Sequence, residues 1–239
     1  MAGTWTSQNK VLPGAYLNFR TNAPLSITPG ERGIVVLLQE MSKGTAGEMY
    51  TITALDQSKY PEGVTAADKL LVNEALKGAS KVIVYNLGST HTSDTVDTAL
   101  AKLMTESFNV LVYPYDGVTY DANKLTIATW IKMMRKEEGI SAQVVLANYV
   151  ADDEAIINVT QGVKLFDGTT LTPAQCTAWV GGVTAGANIN QSNTGRKYIG
   201  AIDVVPRMTK TEMETAITAG EWVFKVDTAQ NVTAIYDIN

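Results

Sequence analysis

"GIVVLL", residues 33–38, is the stretch that decides the fold. A strand with one wet face alternates apolar and polar residues. A short unbroken apolar run is instead a strand covered on both faces. Three runs of the same kind follow: "KVIVYNL" (81–87), "NVLVYPY" (109–115) and "AQVVLANY" (142–149). Two more come later, "YIGAIDVV" (198–205) and "EWVFKV" (221–226). Strands of this type belong to a mainly parallel sheet with helices on both faces.

The segments between the runs are helical in period. Ala67, Leu70, Leu71 and Ala75 share one face of residues 66–79, and Val96, Ala99, Leu100 and Leu103 one face of 95–107. Ile127, Trp130, Ile131 and Met134 do the same in 121–138, and Cys176, Trp179, Val180, Val183 and Ala187 in 173–187. Thr65 stands three residues before Asp68, and Thr209 three before Glu212, the spacing of a capping box. Thr172 followed by Pro173 fits an N-cap with proline at the first helical position. Gly139 and Gly220 fit helix ends. Residues 224–239, "FKVDTAQNVTAIYDIN", read as a closing hairpin. The expected fold is α/β: a layered, mainly parallel sheet with helices on both faces, preceded by an extended N-terminal arm. Residues 1–24 are assigned to the arm and 25–239 to the α/β core.

Composition narrows the function. The chain has 239 residues, 45% hydrophobic and 18% charged, enough to bury a full core. A net charge of -5 argues against a broad nucleic-acid surface. No apolar run approaches the roughly 18 residues that span a bilayer. The opening "MAGTWTSQNK" lacks the charged-then-apolar pattern of a secretory signal, so assembly in a cytoplasm is expected. One cysteine and one histidine allow neither an intramolecular disulfide nor a four-ligand Cys/His metal site.

Enzyme chemistry finds few parts. No G-x-x-x-x-G-K-[ST] loop is present, and no G-x-G-x-x-G follows a strand. Gly181, Gly182 and Gly186 fall inside a helical pattern and read as a smooth face for close helix contact, against a ligand role. His91, in the polar "GSTHTSDT", reads as a solvated loop residue, against a catalytic base. Cys176 lies on an apolar helix face and reads as core, against a nucleophile. "ADDEA" (151–155) and "KEEG" (136–139) read as solvated turns, against a Mg²⁺ or Ca²⁺ site. No cofactor or metal is expected. A pocket at the carboxyl ends of the strands, near Asn86, Pro114 and Asn148, is what a small-molecule-binding or hydrolytic α/β domain would require.

The arm is harder to place. Val11, Pro13, Ala15, Leu17 and Phe19 fall on one face of an extended segment, and Pro13-Gly14 argues against a central strand. An extended segment outside a core leaves its backbone groups to water unless a sheet edge takes them. On the residues alone two readings stand: a strand added to another subunit's sheet, or a terminus with no fixed partner.

"NKVLPGAYLNF" (9–19) resembles the opening of the contractile tail sheath proteins of bacteriophages and R-type bacteriocins, a signature close to R-P-G-V-Y-x-N-F. Pro13, Gly14, Tyr16, Asn18 and Phe19 match it, while Leu12 and Ala15 depart. "PGERGIVVLL", "LLVNEALKGASKVIVYNL", "TESFNVLVYPYDG", "TAGEWVFKV" and "VTAIYDIN" are similar to later parts of the family, in the family's order. The small sheaths of phage-like elements and diffocin-type particles are the nearest in pattern.

The resemblance implies a structural subunit, not an enzyme: an α/β core with some likeness to subtilisin but without its catalytic residues. It implies stacked hexameric rings in a helical array around an inner tail tube protein, contracting to drive that tube through a target envelope. The implied partners are other sheath subunits and the tube, with neither nucleic acid nor direct membrane insertion. The implied location is a virion tail or bacteriocin particle. The implied contact residues are those of the arm: Val11, Pro13, Gly14, Tyr16, Leu17, Asn18 and Phe19, pairing as an added strand with a neighbour. "LGSTHTSDTV" (87–96) is a short link where many relatives carry an inserted β-rich domain. The chain also ends where relatives continue into the C-terminal domain that faces the tube and receives the arms. It therefore reads as a fragment or shortened form, with a natural short product as the other reading.

Overall fold

The structure is a computed structural model, and it describes residues 32–188 and 190–237. In chain order the elements begin with β1 (Ile34–Gln39), β2 (Met49–Thr53), α1 (Ala66–Leu76), β3 (Lys81–Asn86) and α2 (Ser93–Leu103). There follow β4 (Val110–Val112), a 3-10 turn (Val118–Tyr120), α3 (Asp121–Glu137) and β5 (Gln143–Ala147). Then come β6 (Ile156–Val159), β7 (Gly162–Leu165), β8 (Thr170–Leu171) and α4 (Pro173–Gly186). The last are β9 (Ala201–Val205), α5 (Lys210–Thr218), β10 (Glu221–Trp222), β11 (Phe224–Val226) and β12 (Val232–Ala234).

The main sheet has seven strands in the order β10-β6-β5-β4-β1-β3-β2. All neighbours run parallel except the edge strand β2, which is antiparallel to β3. The chain moves from β1 to β3 on one side, then crosses back to β4 on the other. Order therefore reverses around β1, and the carboxyl ends of β1 and β4 flank the switch point.

Every residue of β1 is buried, and its side chains divide between two cores. Val35 and Leu37 meet Val72 and Ala75 of α1 and Trp179, Val180 and Val183 of α4. Ile34, Val36 and Leu38 meet Val96, Leu100 and Leu103 of α2 and Ile127, Ile131 and Met134 of α3. Each such side chain removed from water is worth about 1.5–3 kcal/mol. This double burial is why the run at 33–38 carries no polar residue.

Helix starts follow the capping residues. Thr65 and Thr172 accept the Asp68 and Gln175 backbone N–H groups, and Thr209 accepts that of Glu212. Helix α4 is buried on nearly all sides and needs its glycines. A Cβ on Gly182 would land on the Ala75 carbonyl oxygen, one on Gly186 on the Gly78 carbonyl, and one on Gly181 on a Val112 methyl. These glycines are where α4 meets α1 on one side and β4 on the other.

Two of the expected parallel strands are placed differently. "YIGAIDVV" supplies β9, which joins an antiparallel sheet of order β8-β7-β9 outside the main sheet. Ile202 and Val205 there face solvent while Ala201 and Val204 face in, so the run is half-buried. "EWVFKV" breaks in two. Glu221–Trp222 pairs parallel with β6, and Phe224–Val226 forms a hairpin with β12. The buried Gln161 sits at the break: its Oε1 accepts the Phe224 N–H at 2.7 Å and its Nε2 donates to the Pro206 carbonyl at 3.0 Å. Trp179, Tyr198 and Phe224 pack together beneath this second sheet, the first two stacked at 4.3 Å.

Candidate functional site

The arm residues Val11, Pro13, Gly14, Tyr16, Leu17, Asn18 and Phe19 lie outside the described residues. Within them, the densest cluster of polar chemistry is at the switch point. Glu40 directly follows β1, His91 lies between β3 and α2, and Tyr113 and Tyr115 follow β4. Tyr120 closes the 3-10 turn before α3.

His91 is not the solvated loop residue its neighbours in sequence suggest. Its side chain is fully buried. Nδ1 lies 2.8 Å from Glu40 Oε1 and Nε2 lies 2.7 Å from the Tyr113 hydroxyl. The His91 backbone N–H donates to the same Glu40 oxygen at 3.0 Å. Three tyrosine rings enclose the imidazole, with centroids at 5.7 Å (Tyr113), 4.5 Å (Tyr115) and 5.3 Å (Tyr120, stacked). The burial comes from residues 22 to 51 positions away, which local composition does not register.

The network continues outward. Asn123 Nδ2 donates to the Tyr113 hydroxyl at 3.0 Å, and Ser93 Oγ donates to Asn123 Oδ1 at 2.7 Å. The Tyr115 hydroxyl accepts the Glu40 N–H. Burial pushes the Tyr113 and Tyr115 phenols well above their ordinary range, so both keep their protons. One assignment satisfies every atom: Nδ1–H donates to Glu40, and Nε2 accepts the Tyr113 O–H.

A carboxylate, an imidazole and a hydroxyl in line have the outline of a nucleophile relay. Here the hydroxyl is a phenol that holds its proton, and the ring is sealed under three tyrosines. The arrangement ties together β1, β4, α2 and α3. It fills the crevice where a doubly wound sheet ordinarily takes a ligand.

Of the three residues expected around a carboxyl-edge pocket, Asn86 and Asn148 are not brought together, and Pro114 follows β4, between them in strand order. Asn86 is buried and holds a turn, donating to the Lys43 carbonyl at 3.2 Å and accepting the Gly88 N–H at 2.8 Å. It lines a cavity of about 190 Å³ with Tyr85, Leu87, Thr95 and Thr98, on the β3 side. Asn148 follows β5, so β1 and β4 separate it from Asn86. Asn148 donates to Asp116, which also takes a 2.6 Å ion pair from the buried Lys124. Burial alone would raise the Asp116 carboxyl, but the hydrogen bonds from Lys124 and Asn148 more than offset it and hold it below the usual carboxylate range.

Cys176 is buried in the core, and burial pushes its thiol up to about 12. Among the described residues no three Asp, Glu, His or Cys side chains converge as metal ligands, and no helix is long and apolar enough to cross a membrane.

Comparison with known proteins points one way. Residues 86–239 match the family described as "Phage tail sheath protein central domain", and residues 32–87 match "Tail sheath protein Gp18 domain III N-terminal region". The two matches meet at the end of β3, just before the His91 loop. The chain is 41% identical over 183 residues to phage-like element PBSX protein XkdK of Bacillus subtilis (strain 168), covering 74% of this chain and 37% of that protein. It thus spans well under half of that curated relative. The crystal structure of a sheath tail protein from Desulfitobacterium hafniense superposes with a TM-score of 0.80 at 29% identity, covering 95% of this chain and 75% of that one. The helical sheath of the anti-feeding prophage in its contracted state shares the fold, with a TM-score of 0.66 at 15% identity over 95% of this chain and 68% of that one.

Proposed function

Because this chain belongs to the phage tail sheath protein family, we propose that it is a structural subunit of a contractile sheath, part of a phage tail or bacteriocin particle. The observation that carries the proposal is the central-domain match over residues 86–239, set on an α/β core whose switch point is filled by the chain's own His91. The filled crevice disfavours the alternative, a small-molecule-binding or hydrolytic domain, and supports a non-enzymatic role.

In this reading other copies of the chain surround an inner tube protein, and contraction drives the tube through a target envelope. Residues 1–24 act as the arm, with Val11, Pro13, Gly14, Tyr16, Leu17, Asn18 and Phe19 pairing as an added strand with a neighbour. Assembly takes place in the bacterial cytoplasm. An arm held by backbone hydrogen bonds can stay attached while rigid cores exchange their surface contacts. The core fits that demand, because the His91 network and the α1–α4 glycine seam lock its layers together.

Electron microscopy of the full-length protein, alone and mixed with its own tube protein, tests the proposal. Rings or tubes are expected. Turnover of a small molecule by chains that never associate would overturn it.

A further inference from the structure

His91 is the only histidine in the chain, and its side chain is sealed from solvent. An imidazole ordinarily changes charge between about pH 5 and 8. A buried one either stays neutral or finds a place for a second ring proton, and the groups facing it decide which. From the end of β1 it faces the Glu40 carboxylate at 2.8 Å, and from the end of β4 it faces Tyr113 and Tyr115. Tyr120 stacks on it from the 3-10 turn. Helices α2 and α3 bring the neutral Ser93 and Asn123 to the network. Lys124, next along α3, is held instead by Asp116 and Asp121. Among the described residues Glu40 forms no other ion pair.

These surroundings suit a cation on one side of the ring. Glu40 lies against Nδ1. The Tyr115 and Tyr120 rings, centred 4.5 and 5.3 Å away, are within the reach of a cation–π contact. The conflict is at Nε2. In the neutral ring Nε2 accepts the Tyr113 O–H, and the Tyr113 oxygen accepts from Asn123 Nδ2 at 3.0 Å. A proton on Nε2 makes it a donor. The Tyr113 oxygen then receives two N–H groups, and its own buried hydrogen has no acceptor.

A half-turn of the Asn123 carboxamide removes the conflict, because it exchanges oxygen for nitrogen with little change in shape. Oδ1 then accepts the Tyr113 O–H. Nδ2 donates to Ser93 Oγ, which in the neutral arrangement donates to Oδ1 at 2.7 Å. Ser93 is exposed in the first turn of α2, so its released hydrogen reaches solvent. Both arrangements leave every buried member of the network with a partner.

We propose that His91 is a proton switch: when it takes up a proton, the hydrogen bonds from Tyr113 through Asn123 to Ser93 reverse, and the crevice stays closed. The buried charge is thereby read at the surface. The Ser93 O–H changes from a bond inside the protein to a free donor at the start of α2. By linkage, a partner that accepts from Ser93 draws the proton onto His91.

NMR of the full chain between about pH 5 and 8 tests the switch, because a single histidine gives a single set of imidazole signals. At the alkaline end the Asn123 side-chain N–H protons should lie against the Tyr113 ring. Once the imidazole is charged they should lie against Ser93. Tyr113→Phe cuts the relay, so the imidazole should still titrate while the Asn123 amide no longer turns. Asn123→Leu leaves the turned Tyr113 O–H without an acceptor. It should weaken proton binding at His91 by about tenfold, moving the midpoint down by about one pH unit. An Asn123 amide that keeps the same neighbours at both ends of the range would overturn the switch. So would a His91 that stays neutral throughout, or one that gains its proton only as the near-ultraviolet circular dichroism of the packed tyrosines is lost.

Discussion

His91 Nε2 reaches the Tyr113 hydroxyl at 2.7 Å, and this contact closes the crevice between β1 and β4. Replacing the ring by a methyl group in His91→Ala leaves the buried Tyr113 hydroxyl without its acceptor and opens a void among three tyrosines. The expected loss is about 2–4 kcal/mol, read from urea unfolding. Free imidazole should restore part of it in His91→Ala and leave the natural chain unchanged. A loss below about 0.5 kcal/mol, typical of a surface site, would show that the network does not brace the core.

The α1–α4 seam makes a sharper prediction. In Gly182→Ala the new methyl meets the backbone oxygen of Ala75, which cannot rotate away. Overpacking of this kind costs about 1–3 kcal/mol. Gly139→Ala is the control, since a Cβ there meets nothing and only the left-handed φ of 67° is strained. Its cost should stay near about 1 kcal/mol. Thermal unfolding of the two variants would separate helix contact from backbone conformation.

The same contrast explains what could be read from the residues. Unbroken runs such as residues 33–38 announce strands covered on both sides, and threonines at 65, 172 and 209 announce helix starts, because each signal is local. β9 misleads because an apolar run looks alike whether it joins a parallel core or half-covers an antiparallel sheet. β2, β6, β7 and β8 are short, and their partners rather than their composition define them. His91 was illegible because Glu40 is 51 residues away. The cluster of tyrosines at 113, 115 and 120 was the one sequence signal for its cage. The arm rests on the alternating pattern of residues 11–19 and on resemblance, and it lies outside the described residues.

Acid should find the carboxyl edge. Asp116 and Asp68 are both buried enough to be raised, yet their hydrogen bonds hold them below the ordinary range. A carboxyl depressed by folding adds stability that is complete above its unfolded value, about 3.9. That stability is lost as pH falls through the lower, folded value. Asp116→Asn removes its share of this dependence. It also removes the negative charge that faces Lys124 at 2.6 Å, leaving Asp121 at 3.4 Å as the ion-pair partner. The variant should be about 3 kcal/mol less stable at neutral pH, and the gap should narrow below pH about 4. Urea unfolding at several pH values checks the sign, and a gap that widens in acid would contradict the assignment.

Backbone chemistry separates the two readings of the arm. If residues 11–19 add a strand to a neighbour, their N–H groups do the binding, and side-chain trimming matters less than loss of a donor. Leu17→Pro removes one N–H and fixes φ where a sheet edge needs pairing. Leu17→Ala keeps both. In the full-length protein the proline variant should weaken assembly by about tenfold or more relative to the alanine variant, equivalent to at least about 1.4 kcal/mol per contact. Unfolding of the unassembled chain should be the same in both, because the core begins at β1. Sedimentation for assembly and urea titration for the core give the two readouts independently. Equal assembly by the proline and alanine variants would mean that the segment binds through its side chains or not at all, and strand donation would then have to be abandoned.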